Sequence, residues 1–227
     1  MQEYLARILT DKNERRTLIA VSLSIFILQL ITLRGSVING EPLWIAYYMR
    51  QGLGFVFTYP WNKELLPTSY ITPLYPYFLY SILALGGGLV VMQISGLVFF
   101  QIANFFLYGF FKRHVSKNVA FGGFLAFGFY LPLWFMAQKI DPDALNLMFV
   151  AITIFILDGF RRSQTTKQWI SLGIIYGIQL LVRPDILVGI VFFGVWLATI
   201  IPSKKQFVKG YALSVGIMLL CVLPWTI

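Results

Sequence analysis

Apolar residues in this chain come in long, nearly unbroken blocks. They follow neither the three-to-four spacing of an amphipathic helix nor the alternation of a half-buried strand. The blocks run over 17–33, 89–111, 118–137, 143–160, 168–182, 186–201 and 207–225. Each lies within or close to the ~17–25 residues that a helix needs to cross a bilayer. Short polar clusters separate them. The pattern predicts an all-α polytopic membrane protein with about seven transmembrane helices.

One stretch breaks this rhythm. Between Arg34 and about Gly88 the chain is rich in aromatics, among them Trp44, Tyr47, Tyr48, Phe55, Trp61, Tyr75 and Tyr77, and carries prolines at 42, 60, 67, 73 and 76. A flexible solvated linker is rich in Ser and Gly instead, whereas Tyr and Trp prefer the headgroup level. A long first outer loop, 34–88, lying along the interface is therefore expected. Within it Pro42–Gln51 reads as a short helix, opened by proline and followed by Gly52. Leu74–Leu85 is too short to cross, ends at Gly86-Gly87-Gly88, and reads as an interfacial or re-entrant helix.

Composition agrees. The 227 residues are 58% hydrophobic and 12% charged, too apolar for a soluble domain of this length. The formal charge of +9 would suit a nucleic-acid partner if it formed one basic face. Instead it sits in clusters between apolar blocks, which excludes that reading. With a cytoplasmic N-terminus, segments 1–16, 112–117, 161–167 and 202–209 are cytoplasmic and hold thirteen of the eighteen Lys and Arg, as the positive-inside rule requires. Glu41, Glu64, Asp141, Asp143 and Asp185 all fall outside. The expected organisation is a cytoplasmic segment 1–16 and a membrane module 17–227, multi-pass in the cell (inner or plasma) membrane. No small-residue cleavage site follows 17–33, so that block reads as an uncleaved signal anchor. The single cysteine, Cys221, gives no disulfide framework.

The outer acids are the informative polar groups, because charge near lipid is expensive. Three outer turns place an acid beside a proline that opens a helix: Glu41-Pro42, Asp141-Pro142-Asp143 and Pro184-Asp185. Asp141 and Asp185 are explained equally by helix capping. Glu41 is not, since Glu caps poorly, and a carboxylate beside a helix N-terminus suits a base that takes a proton from a hydroxyl. Arg183 could hold a phosphate, pair with Asp185, or reach to headgroups. Asp158 has Arg161 and Arg162 at i+3 and i+4 as expected partners, and His114 reads as solvated. No metal-ligand spacing, P-loop or nucleophile elbow is present.

Four elements in order resemble a known family. Glu41-Pro42-Leu43-Trp44-Ile45-Ala46, followed by Gly52-Leu53-Gly54-Phe55, is similar to acid-x-x-x-(I/V)-A with G-x-G-F further on. Thr68-Ser69-Tyr70-Ile71-Thr72-Pro73-Leu74-Tyr75-Pro76-Tyr77-Phe78-Leu79 resembles T-A-x-x-P-P-x-Y-P-x-L-L. Gly173 to Pro184 is similar to G-L-x-x-G-L-x-x-L-x-R-P, and Leu223-Pro224-Trp225 closes the series. The chain resembles the GT-C fold membrane glycosyltransferases, among them the bacterial relatives of glycosyltransferase family 39 and the protein O-mannosyltransferases.

The resemblance implies a polyprenyl-phosphate sugar as donor and inverting transfer to an acceptor hydroxyl on the extracytoplasmic face. It implies Glu41 as catalytic base, with Asp143, Arg183, Asp141 and Tyr75 contacting substrate. It names no cofactor, assigns no metal ligand and leaves a divalent-metal requirement open. Expected partners are the lipid-linked donor and membrane lipids. Family members carry further spans after the shared seven-helix module. A missing C-terminal half or partner subunit is therefore one expectation, and it leaves the activity of this chain alone open. Two other classes fit the same composition, a flippase-like transporter of lipid-linked sugars and a non-catalytic membrane subunit.

Overall fold

The computed structural model describes residues 12–33, 40–58, 64–68 and 71–226. The first eleven residues, Arg34, Pro60, Trp61, Lys63 and Tyr70 lie outside them. Ten helices and one small hairpin follow in order: α1 (Lys12–Ile31), α2 (Glu41–Arg50), β1 (Val56–Thr58), β2 (Leu65–Pro67), α3 (Leu74–Ala84), α4 (Leu89–His114), α5 (Lys117–Gly128), α6 (Leu131–Gln138), α7 (Asp143–Gly159), α8 (Thr166–Val182), α9 (Ile186–Ile200) and α10 (Lys204–Thr226).

This is the all-α membrane architecture expected from the apolar blocks, and a helix stands at each expected span. By length and composition, α4 and the Lys204–Trp225 part of α10 are able to cross a membrane. The pair α5 and α6, bent by 53°, makes a third crossing if it is one broken span. The expectation of seven asks more of the others. Helices α7 and α8 have 17 residues each and α9 has 15. They are ~23–26 Å long, against a hydrocarbon core of ~30 Å. Helix α1 begins on Lys12, Glu14, Arg15 and Arg16, which shortens its apolar part.

The bend between α5 and α6 has a local cause. The chain leaves α5 at Gly128, and Pro132 sits in the first turn of α6, where proline has no amide to donate and starts a new helix. In the outer loop, α2 starts at Glu41 with Pro42 in its first turn, and Gly52 (φ +80) and Gly54 (φ +84) turn the chain into β1. The two three-residue strands pair antiparallel, Phe57 opposite Leu66. This hairpin was not expected from the sequence. Helix α3 stops one residue short of its expected end, with Leu85 as C-cap and Gly86 at φ +82.

Helix contact depends on small residues and internal hydrogen bonds, as it must without water. A Cβ on Gly173 would lie 2.5 Å from the Ser214 carbonyl oxygen, and one on Gly177 would lie 2.5 Å from Cys221 Cβ. These two glycines seat α8 on α10. Helix α4 is the central post, packing against α1, α5, α6 and α7. Its Gln101 accepts from Ser22 (2.8 Å) and donates to Gln29 (2.9 Å), both on α1. Gln138 at the end of α6 donates to the Gln29 carbonyl (3.3 Å), and Gln93 donates to the Gln138 carbonyl (3.1 Å).

At one end of the bundle, ion pairs tie the helices together. Glu14 bonds Tyr108 and pairs with Lys112 (2.6 Å) and Lys117 (3.1 Å). Asp158 pairs with Arg113 (2.8 Å) and His114 (2.8 Å), both on α4. Two expectations change here. The partners of Asp158 come from α4 and not from Arg161 and Arg162. His114 is held by that carboxylate and lies tilted against Phe110, with ring centroids 4.7 Å apart, so it is not simply solvated.

Gly177→Leu is expected to force α8 off α10 and to cost about 1–3 kcal/mol, typical of overpacking. Thermal unfolding in detergent should show the lower midpoint. Gly216→Ala on α10, where nothing lies within 4 Å of the new Cβ, should not lower it, since alanine is the better helix former.

Candidate active site

The opposite end of the bundle carries the outer-loop elements. One hydrophobic cluster joins Leu43 and Ala46 of α2, Tyr75 and Leu79 of α3, Ile140 before α7, Leu145 of α7 and Val182 at the end of α8. The polar residues Tyr75, Asp141, Asp143 and Arg183 are thereby gathered, with Glu41 next in the chain to Gly40, which lies against Ile140. Thr72 adds a tether, its hydroxyl donating to the Val182 carbonyl at 2.6 Å. The sequence patterns did not single out Thr72. Its contact spans 110 residues and leaves no local trace.

Asp143 and Arg183 form an ion pair between the start of α7 and the end of α8. Arg183 also pairs with Asp185 through Nε at 3.2 Å, as its local spacing suggested. The Arg183 and Asp143 side chains are 37% and 35% exposed, open enough to meet a ligand. A guanidinium presents five donors in a planar fork, so two carboxylates do not exhaust it.

Asp141 was expected to cap a helix starting at Pro142. The helix starts one residue later, at Asp143, and Asp141 Oδ1 accepts the Asp143 amide at 3.3 Å. It satisfies a helix-end donor from one position further out. Asp185 makes no side-chain cap bond to α9; Arg183 is its partner instead.

Burial and the adjacent Asp143 charge push the Asp141 carboxyl above its ordinary value, with the Asp143 amide, Arg183 and Lys139 pulling the other way. Burial, then the charges of Asp141 and Asp143, push the Tyr75 phenol up. It stays a neutral hydroxyl, 3% exposed, that can donate and accept.

Glu41 is exposed in the first turn of α2 and makes no hydrogen bond or ion pair among the described residues. Its neighbour Gly40 lies against the turn before Asp141, where an added Cβ would be 3.3 Å from the Ile140 carbonyl oxygen. Glu41 and Asp141 are each one residue beyond this contact. One turn into α7, Asn146 has a buried Oδ1 with no partner. Its spacing of three from Asp143 was visible in the sequence, but nothing distinguished it from an ordinary packing residue. Among the described residues no group of three or more His, Cys, Asp or Glu side chains is gathered as for a metal ion.

The model of the dolichyl-phosphate-mannose-protein mannosyltransferase family matches residues 70–227. The chain belongs to that family, and with it to the GT-C membrane glycosyltransferases. The matched segment includes Tyr75, Asp141, Asp143 and Arg183, while Glu41 precedes it. No curated protein and no solved structure is significantly similar to the chain.

Because the raised Asp141 carboxyl favours the protonated folded form, its contribution to stability is present at low pH and lost as pH rises past the ordinary value of 3.8. Asp141→Asn keeps an acceptor for the Asp143 amide and has no charge to bury. It is expected to stabilise the protein at neutral pH and to flatten the dependence of the unfolding midpoint on pH between about 4 and 7.

Proposed function

We propose that the chain transfers a sugar from a polyprenyl-phosphate donor to an acceptor hydroxyl on the extracytoplasmic face, with inversion at the anomeric carbon. The observation that carries this reading is the Asp143–Arg183 pair, at the end of a bundle whose helices match a lipid-linked mannosyltransferase family. A donor of this kind keeps its tail in lipid and its phosphate at the interface. That is the depth at which Arg183, Tyr75 and the aromatic loop stand in a seven-crossing arrangement with the N-terminus in the cytoplasm. The thirteen basic residues on the other side support that arrangement.

In this mechanism Glu41 takes the proton of the acceptor hydroxyl as the oxygen attacks the anomeric carbon. The bond from that carbon to the phosphate oxygen breaks, and the leaving phosphate takes the electron pair. Arg183 stabilises the developing charge, Asp143 and Asp185 fix the guanidinium plane, and the Tyr75 hydroxyl donates to the donor headgroup. The position of Gly40 against Ile140 supports a Glu41 carboxylate within the same cluster. Transport of lipid-linked sugars finds less support. The glutamines inside the bundle bond chiefly to one another and to backbone carbonyls, and line no continuous polar route.

Purified protein with a panel of polyprenyl-phosphate sugars should give hydrolysis or transfer. Glu41→Gln should reduce it by at least ~10²-fold, the scale of a general base, at unchanged membrane abundance. Full turnover by that variant would remove the base assignment. Arg183→Lys keeps the charge but loses the fork and should lower kcat more than it raises KM.

A further inference from the structure

The seventeen residues of α8 separate Arg183 from a second feature ~25 Å away, at 1.5 Å per residue. There, between the start of α8 and the start of α10, lies a pocket of about 400 Å³. Its walls are fixed by close packing. Gly210 of α10 lies directly on the Trp169 indole, where a Cβ would be 2.1 Å from Cε2. Ser214 donates to the Trp169 carbonyl at 2.7 Å, and Gln206 donates to the Gln164 carbonyl at 3.3 Å.

The lining is graded along α10. Lys205 and Lys209 are one turn apart and share a face, and Leu213 continues that face one turn further in. Thr166 and Ser203 add hydroxyls at the mouth. Ser203 Oγ accepts the Gln206 amide at 3.3 Å and keeps its own proton to donate. No acid lines the pocket. Among the described residues neither lysine is in an ion pair, and the carboxylates at this end, Glu14 and Asp158, are committed to α4 and Lys117. Two cations and hydroxyl donors therefore face a space whose inner end is apolar. Beyond Leu213, Leu219, Leu220 and Leu223 of α10 are exposed and continue an apolar surface along the helix.

We infer that this pocket binds the phosphate of an anionic phospholipid in the leaflet covering this end of the bundle. The phosphate lies between Lys205 and Lys209, and an acyl chain leaves past Leu213. Inorganic phosphate shares the headgroup chemistry but would make no use of the apolar end. The inference depends on neither the reaction at the other end nor the sidedness of the chain.

Native mass spectrometry of the full-length chain, released from detergent containing equimolar phosphatidylglycerol and phosphatidylcholine, tests it. The protein should retain phosphatidylglycerol in preference. Lys205→Gln with Lys209→Gln should lower that preference by about fivefold per lysine, while the Lys→Arg pair should keep it. Arg15→Gln with Arg16→Gln, exposed charges elsewhere at this end, should leave it unchanged. Should the double glutamine variant fail to fold, Lys209→Gln alone carries the comparison. An unaltered preference in the glutamine variants, or an equal loss in the Arg15/Arg16 pair, would overturn the site. Retention of inorganic phosphate with no lipid preference would overturn the lipid as its occupant.

Discussion

Inside a bilayer polar atoms have no water to bond, so most find a partner within the protein or lie at an end of the bundle, although among the described residues buried atoms such as Gln29 Nε2, Asn104 Oδ1 and Gln179 Nε2 go without one. The architecture of this chain follows from that constraint. Helices satisfy their own backbones, and the buried glutamines of α1, α4 and α6 are linked amide to amide and amide to carbonyl. Charged side chains collect at the two ends, where Glu14 and Asp158 bind basic residues at one and Asp143 and Asp185 bind Arg183 at the other. The same rule that partitions charge to the ends leaves an apolar bundle between two charged surfaces.

The two ends use charge differently. Glu14 and Asp158 have buried side chains that each meet two basic residues, Lys112 and Lys117 for the first and Arg113 and His114 for the second, an arrangement that binds helices and leaves little to offer a ligand. At the other end the stoichiometry reverses, with one guanidinium meeting two carboxylates on partly exposed side chains. In the mechanism we propose, an arriving phosphate competes with those carboxylates for the fork, so the pairing of Arg183 with Asp143 and Asp185 sets how strongly it holds an anion. Burial, and after it the neighbouring Asp143 charge, holds the Asp141 carboxyl above its ordinary value.

What the sequence made legible was whatever is local along the chain. Apolar runs marked α1, α4 and α7 to α10 but merged α5 and α6 into one block, Pro42 and Gly52 bracketed α2, and Gly86 marked the end of α3. The pairing of Arg183 with Asp185 is two residues long and was visible too. Distance along the chain hid the rest. Asp158 bonds residues 44 and 45 positions away instead of its helical neighbours, because α4 supplies a guanidinium stacked on Phe155 at 3.9 Å. The Asp143–Arg183 pair spans 40 positions, so the residues could be nominated but not brought together. The hairpin escaped because three-residue strands carry too little periodicity to register.

One contact links the first part of the chain to the last. Phe55 of the outer loop packs edge-on to Trp225 near the end of α10, with ring centroids 4.8 Å apart, and Tyr77 of α3 closes the trio at 6.4 Å from the same indole. These partners are 170 residues apart in the sequence. At ~5–20 residues per second of synthesis, that separation is about ten to thirty seconds. Throughout that interval the loop exists without the ring it rests on. Biosynthesis thus imposes an order on this molecule, in which the loop end of the bundle is begun early and is completed only once α10 has been made.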